Sequence, residues 1–186
     1  MRKCYFFGAG INCWGAVKFV GKENIIAIVD NSQNKIGQKI DGIEVISFPV
    51  FLKRWQGEQI LITVFEHEKE VAKQLQENGI TNYSFCPYMQ SGYYSVDEMI
   101  EMYHLQKYDA LVLYGQHLFR ELLEEALEKA GLSDKCIDIK NIKNGTTAVL
   151  VVDCKLTKDD IPEVANNQTA DVIELFRPEE LRQKAP

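Results

Sequence analysis

The stretch CYFFGAGINCWGAVKFVGKENIIAIVD, Cys4–Asp30, decides the fold. Cys4–Phe7 is a short apolar run that stops on Gly8, which reads as a buried strand. Ile11–Val20 follows with helical spacing that sets Ile11, Trp14 or Gly15, Val17 and Val20 toward one side, and Gly21 ends it. Asn24–Asp30 is a second strand almost free of polar residues, as expected inside a parallel sheet. Between the first strand and the helix lies Gly8-Ala9-Gly10, the start of a G-x-G-x-x-G loop. Its third place holds Cys13, and the next glycine is Gly15.

In a dinucleotide fold the first glycine permits the tight turn and the second lets backbone approach a pyrophosphate. The third allows close helix–strand packing, while the helix N-terminus stabilises the anion. Gly8 and Gly10 stand where that mechanism needs them, and Cys13 is small enough to pack at the third place. Asp30 ends the second strand about 20 residues further on, where a carboxylate can accept ribose hydroxyls. The candidate binding residues are therefore Gly8, Ala9, Gly10, Ile11, Asn12 and Cys13 in the loop and first helical turn, with Asp30, Asn31 and Lys35 after the second strand. Two readings stay open: a loop that binds a nucleotide, and a fold whose glycines serve only the turn.

The alternation continues outward from this unit. Ile43–Phe48 is a third strand, Pro49 starts a helix running to Trp55, and Gln59–Phe65 is a fourth strand. His67–Gly79 has the pattern of a capped amphipathic helix, and Asn82–Cys86 is a fifth strand. Short loops joining strands and helices in this order predict an α/β fold with a doubly wound, parallel, Rossmann-like sheet over residues 1–88. Residues 89–107 read as a linker helix that begins at a Ser95 cap, with Glu98 completing a capping box. Residues 108–186 repeat the alternation as a second, smaller α/β lobe. Its strands are Ala110–Gly115, Lys135–Ile139, Thr147–Asp153 and Ala170–Phe176, with a helix at Phe119–Gly131 and a closing turn at Pro178–Lys184.

The 186 residues are 46% hydrophobic and 26% charged, an ordinary globular composition. A net charge of −6 and no Lys/Arg stripe argue against a nucleic-acid surface. The five cysteines are scattered without a C-x-x-C pair and suit a reduced, cytoplasmic setting. No apolar run reaches the roughly 18 residues of a membrane helix, and no signal peptide is expected. No metal cluster or Walker loop is evident.

YFFGAGINCWG, IIAIVDNSQNKIGQKIDGIEVIS and KQLQENGITNYSF together resemble the Rossmann-like domains of bacterial surface-polysaccharide biosynthesis proteins. The matching residues are Phe7-Gly8-Ala9-Gly10, Asp30-Asn31, Lys35, Gly37, Gly42, Val45, Gln74-Leu75 and Gly79-Ile80, while Cys13 and Ser32 depart from the pattern. The resemblance covers residues 1–88. It implies binding of NAD(P) or a nucleotide sugar, as an accessory domain or as part of an oxidoreductase or epimerase, and does not choose between them. Polysaccharide-pathway enzymes or a second copy of the chain are the implied partners; an oligomerisation scaffold with an empty loop is the remaining alternative.

Several isolated residues invite chemistry. Tyr103 and Lys107 fit Y-x-x-x-K, which on a helix would share one face and let the ammonium lower the phenol's pKa. With 8 tyrosines in the chain, a match of this length also arises by chance. His67 follows the fourth strand at the ligand-facing edge, as a helix-start residue or a base. Gly115, Gln116 and His117 form a degenerate second loop. His104 reads as packing on an aromatic-rich helix, and Asp153 and Asp171 as strand-end aspartates. Tyr83, Phe85, Tyr88, Tyr93, Tyr94 and Tyr103 read as interface or packing aromatics.

Overall fold

The computed structural model describes residues 3–87, 95–115, 117–142, 146–153, 156–162 and 170–175. The expectations for Tyr88, Tyr93, Tyr94, Gln116, Cys154, Phe176 and the closing turn at Pro178–Lys184 lie outside them. The protein is an α/β fold of two units, Met1–Ser95 and Val96–Pro186.

The first unit runs β1 (Cys4–Phe7), α1 (Ile11–Val20), β2 (Ile25–Val29), β3 (Lys39–Ile40), β4 (Ile43–Ile46), α2 (Phe48–Arg54), β5 (Gln59–Ile62), α3 (Glu68–Glu77) and β6 (Tyr83–Phe85). Its sheet has the order β3-β4-β2-β1-β5-β6. All pairings are parallel except β3 with β4. The chain steps from β1 to β2 in one direction and later crosses to β5 on the other side of β1. Right-handed crossovers then place the two sets of helices on opposite faces, which is double winding. Tyr5, Phe7, Ala27, Val29, Ile60 and Ile62 pack with Phe48 and Phe51 of α2 and Val71, Ala72 and Leu75 of α3. Cys4, Phe6, Ile28 and Leu61 alternate with them and are equally buried on the other face.

α1 is buried more completely than its spacing suggests. Asn12, Cys13, Gly15, Ala16, Val17, Phe19 and Val20 are inside, whereas Ile11 is 62% exposed and Trp14 51%. Of the expected inward side, Gly15, Val17 and Val20 are buried, with Cys13 and Ala16 beside them, while the expectation for Ile11 and for the alternative Trp14 is corrected: both turn outward. A short edge strand also stands at Lys39–Ile40, between the second and third strands expected from the sequence. Asp41 and Gly42 have φ of 47° and 85°, the all-positive centre of a two-residue hairpin, and they fold Lys39-Ile40 back onto Ile43-Glu44.

The second unit contains α4 (Val96–Met102), β7 (Ala110–Tyr114), α5 (Leu118–Lys129), β8 (Thr147–Val151) and β9 (Ala170–Glu174). Its strands form a parallel sheet in the order β7-β8-β9. Lys135–Ile139 is not a strand. Only Cys136 bridges Leu111, because Ser133–Lys135 winds into a 3-10 turn and the Asp138 carboxylate accepts from Lys140 N, starting another.

That single bridge exposes a repeat. Leu111 pairs with Cys136 on one side and Ala148 on the other, so Cys136-β7-β8-β9 reproduces the order β2-β1-β5-β6. Gly8 ends β1 with φ 117° and Gly115 ends β7 with φ 108°. Thr63 N donates to Phe7 O at 2.9 Å, and Val152 N donates to Tyr114 O at 2.9 Å. A Cβ on Gly8 would fall 2.9 Å from Val64 N, and one on Gly115 would fall 2.8 Å from Asp153 Cβ. Both glycines are therefore required by a positive φ and by close backbone approach. Gly8→Ala and Gly115→Ala should each destabilise their unit by about 2–4 kcal/mol, combining strain with overpacking, measured by urea unfolding.

Candidate functional site

Order reversal at β1 leaves a crevice beyond the carboxyl ends of β1 and β5, where open α/β sheets bind ligands. A cavity of about 500 Å³ opens there, within the common size range of ligand pockets. Gly8 and Gly10 form its floor. Asp30, Asn31 and Lys35 line one side; Thr63, Val64, Phe65, the α3 N-cap His67 and the α3 residues Glu70, Val71 and Gln74 line the other.

Each expected residue has a definite place. Gly8 N donates to Val29 O at 2.7 Å, tying the loop to β2. Gly10 is the N-cap of α1, which has no side-chain cap and no acidic residue in its first turn. Nothing lies within 4 Å of the Cβ that Gly10 lacks. Ile11 is the exposed first residue of the helix and also lines the cavity. Asn12 borders the cavity, but its amide is buried and donates to Pro87 O at 3.2 Å, fastening the exit of β6.

Cys13 is fully buried, and burial pushes its thiol up to about 12. It fills the third-glycine place beside Thr63, which itself is fully buried and donates to Gly8 O at 2.6 Å. Buried and protonated at neutral pH, this thiol serves as packing.

Asp30 has a second task that its sequence position does not announce. Its Oδ2 accepts from Ala9 N at 2.7 Å and pairs with Lys35 Nζ at 3.3 Å, and its Oδ1 accepts from Ser32 N at 2.8 Å. Three of the roughly four lone-pair positions of a carboxylate are thus engaged. Asp30 is buried and holds the glycine loop closed against β2.

Of the opposite wall, the sequence offered His67 as a candidate and Gln74 only as a residue of the resemblance. Residues of β5's exit matter because the strand order reverses beside it, a fact only the pairing of β1 with both β2 and β5 reveals. The chain leaves the sheet at Thr63, earlier than the expected end at Phe65, and Glu66 takes φ 73°. Phe65 is left 55% exposed at the cavity mouth. His67, Glu70 and Gln74 follow at helical spacing along α3, with His67 Nδ1 3.2 Å from Glu70 Oε1. Gln74 and Asn31 exchange amide hydrogen bonds at 2.8 and 3.4 Å.

The cavity is not basic: Lys35 is paired with Asp30, and a second carboxylate, Glu70, also lines it. An anion there would rely on backbone N–H groups and the α1 N-terminus.

The remaining candidates do not assemble a reacting set. α4 ends at Met102, so Tyr103 and Lys107 are not on one helix. Tyr103 is buried, and Lys107 Nζ lies 4.7 Å above the Tyr108 ring. His104 is exposed in the left-handed conformation beyond α4, with φ 50°, and does not pack as expected. His117 caps α5 by accepting from Phe119 N at 3.2 Å. Asp171 accepts from the Tyr108 hydroxyl at 2.8 Å. Among the described residues, no group of three or more His, Cys, Asp or Glu side chains converges to hold a metal ion, and no helix is long and apolar enough to cross a membrane.

Residues 1–85 match the model of the family described as C2185-like, N-terminal. The match closes on the last residue of β6, so it spans the first sheet and the whole cavity wall. No curated protein matches the chain.

Asp30→Ala should cost about 2–4 kcal/mol in urea unfolding, because two backbone donors lose a charged acceptor. Thiol accessibility tests the role of Cys13. A thiol raised to about 12 is almost wholly neutral at pH 8, and only the thiolate alkylates. Iodoacetamide should label exposed Cys136 in the native chain and reach Cys4 and Cys13 only after denaturation, read by peptide mass mapping.

Proposed function

We propose that the first unit binds a nucleotide-containing ligand, NAD(P) or a nucleotide sugar, and that it does so as a non-catalytic or accessory module. The diphosphate lies over Gly8-Ala9-Gly10, receiving N–H groups at the start of α1, and the ribose approaches Asp30 and Lys35. The observation that carries the reading is the space above Gly10: its missing Cβ meets nothing within 4 Å, at the mouth of an uncapped helix facing a cavity of ligand size. Gly8 is needed by the fold; Gly10 is not, which is the pattern a ligand-approach glycine leaves.

The accessory reading is supported by the side chains present. The buried thiol of Cys13 is no nucleophile at neutral pH, and Tyr103 and Lys107 belong to the other unit. Placement in the cytoplasm, in cell-surface polysaccharide biosynthesis beside pathway enzymes or a second copy of the chain, rests on the sequence resemblance and on cysteines scattered without a C-x-x-C pair. The bond from Ala9 N to Asp30 favours the competing reading, a scaffold whose loop is satisfied from within.

Calorimetry with NAD⁺, NADP⁺ and UDP-glucose separates the two. Gly10→Ala should change unfolding stability by less than about 1 kcal/mol yet weaken the bound ligand by about tenfold or more. No heat with any of these ligands would favour the scaffold. Unchanged affinity in Gly10→Ala would move the ligand away from the loop. Cofactor turnover by the wild-type chain would replace the accessory role with an enzymatic one.

A further inference from the structure

We propose that the amide pair Asn31–Gln74 is a latch across the crevice, which opens to admit the ligand and recloses over it. The inference rests on the nucleotide reading above and concerns how that ligand enters and leaves, whichever nucleotide it is. Asn31 Nδ2 donates to Gln74 Oε1 at 2.8 Å, and Gln74 Nε2 returns a longer bond to Asn31 Oδ1 at 3.4 Å. The two residues are 43 apart in sequence and line opposite sides of the same cavity. Two other side-chain pairs at that cavity, Lys35 with Asp30 and His67 with Glu70, each stay on their own side. Asn31 and Gln74 join one side to the other.

Both ends of the latch are anchored, so its opening is a side-chain event. Asn31 follows Asp30, whose carboxylate grips Ala9 N and Ser32 N. Gln74 stands on α3 between Val71 and Leu75, which are packed in the core, and its carbonyl accepts from Asn78 Nδ2 at 2.9 Å. Neither backbone can retreat without breaking those contacts. The side chains can, by rotating between staggered positions. Rotation gives up exposed hydrogen bonds that water largely replaces, so the net cost is modest. The latch holds shut most of the time and opens on thermal energy alone.

A diphosphate over Gly8-Ala9-Gly10, with its ribose towards Asp30 and Lys35, lies in the space that this pair bridges. The amides carry no charge, so they do not repel a phosphate, and the pair can re-form once the ligand is in. A closure equally stable over an empty and a filled cavity shifts no binding equilibrium. It slows entry and exit by the same factor and leaves the dissociation constant where it was. That signature separates a latch from a residue touching the ligand, which acts on exit, and from a plug competing with it, which acts on entry.

The test measures rates as well as affinity, on the full chain, with NAD⁺, NADP⁺ and UDP-glucose as probes. Calorimetry gives the dissociation constant, and the magnetic-resonance line shapes of the probe give the two rate constants. Gln74→Ala, which puts a good helix former on α3, should raise both rate constants by a common factor of about three to ten. The dissociation constant should stay within about twofold. Adding Asn31→Ala should give no further rise, because the two residues act as one unit; a further rise would assign Asn31 an effect of its own and overturn the pairing. Unchanged rates in Gln74→Ala overturn the latch and leave the nucleotide reading standing. Faster dissociation alone makes Gln74 a ligand contact. Faster association alone, or binding confined to the variant, makes the pair a plug. Either result overturns the latch while binding itself survives. Absence of binding in the wild type and in Gln74→Ala alike overturns both readings.

Discussion

The close approach of Gly8 to the backbone of Val64 is the constraint on which the first unit depends. It joins β1 to the exit of β5 at the place where the sheet reverses its order. With any larger residue at position 8, the two chain ends would separate and the crevice between them would change shape. Thr63 strengthens the same junction by donating to Gly8 O. Asp30 closes it from the other side, gripping Ala9 N while Lys35 balances its charge. A turn, a hydroxyl and a carboxylate thus hold the glycine loop rigid, leaving Gly10 without a neighbour above it.

Rigid support beneath an open surface is what separates a site from a mere gap between loops. The packed face of α2 and α3 against β1 and β5 supplies the support. Phe48 and Phe51 stack at 5.7 Å between ring centroids, and Tyr5 meets Phe51 edge-on at 5.1 Å. The polar rim lies just beyond that core, so the positions of His67, Glu70 and Gln74 follow from how Val71 and Leu75 are packed.

Much of the architecture was legible because its signals are local. Uninterrupted apolar runs such as IIAIV mark strands buried on both faces, and glycines punctuate the helices. The errors occurred where local signals compete with tertiary ones. KCIDI has the composition of a strand, yet Asp138 takes up a neighbouring N–H and ends the pairing after one bridge. Ile11 and Trp14 are apolar at a spacing that sets them on one side with Val17 and Val20, yet only the two valines of these four are buried. The cavity was half legible. Its glycine loop and Asp30 announce themselves by spacing, whereas Phe65, Glu70 and Gln74 become neighbours of that loop only through the crossover that brings β5 beside β1. The hydrogen bond from Ala9 to Asp30 left no mark in the sequence, since an aspartate there reads the same whether it faces a ligand or its own loop.

The recurrence of one chain path in both units supplies an internal reference. In the second unit the helix after the glycine is capped by His117, and Arg120 reaches back to the carbonyls of Leu113 and Gly115 at 3.0 and 3.3 Å. Its strand end and helix start are satisfied by the protein's own side chains. The first unit, built on the same path, starts its helix without a side-chain cap. The shared path therefore does not decide how the helix start is capped: His117 caps α5, whereas Gly10 gives α1 no side-chain cap.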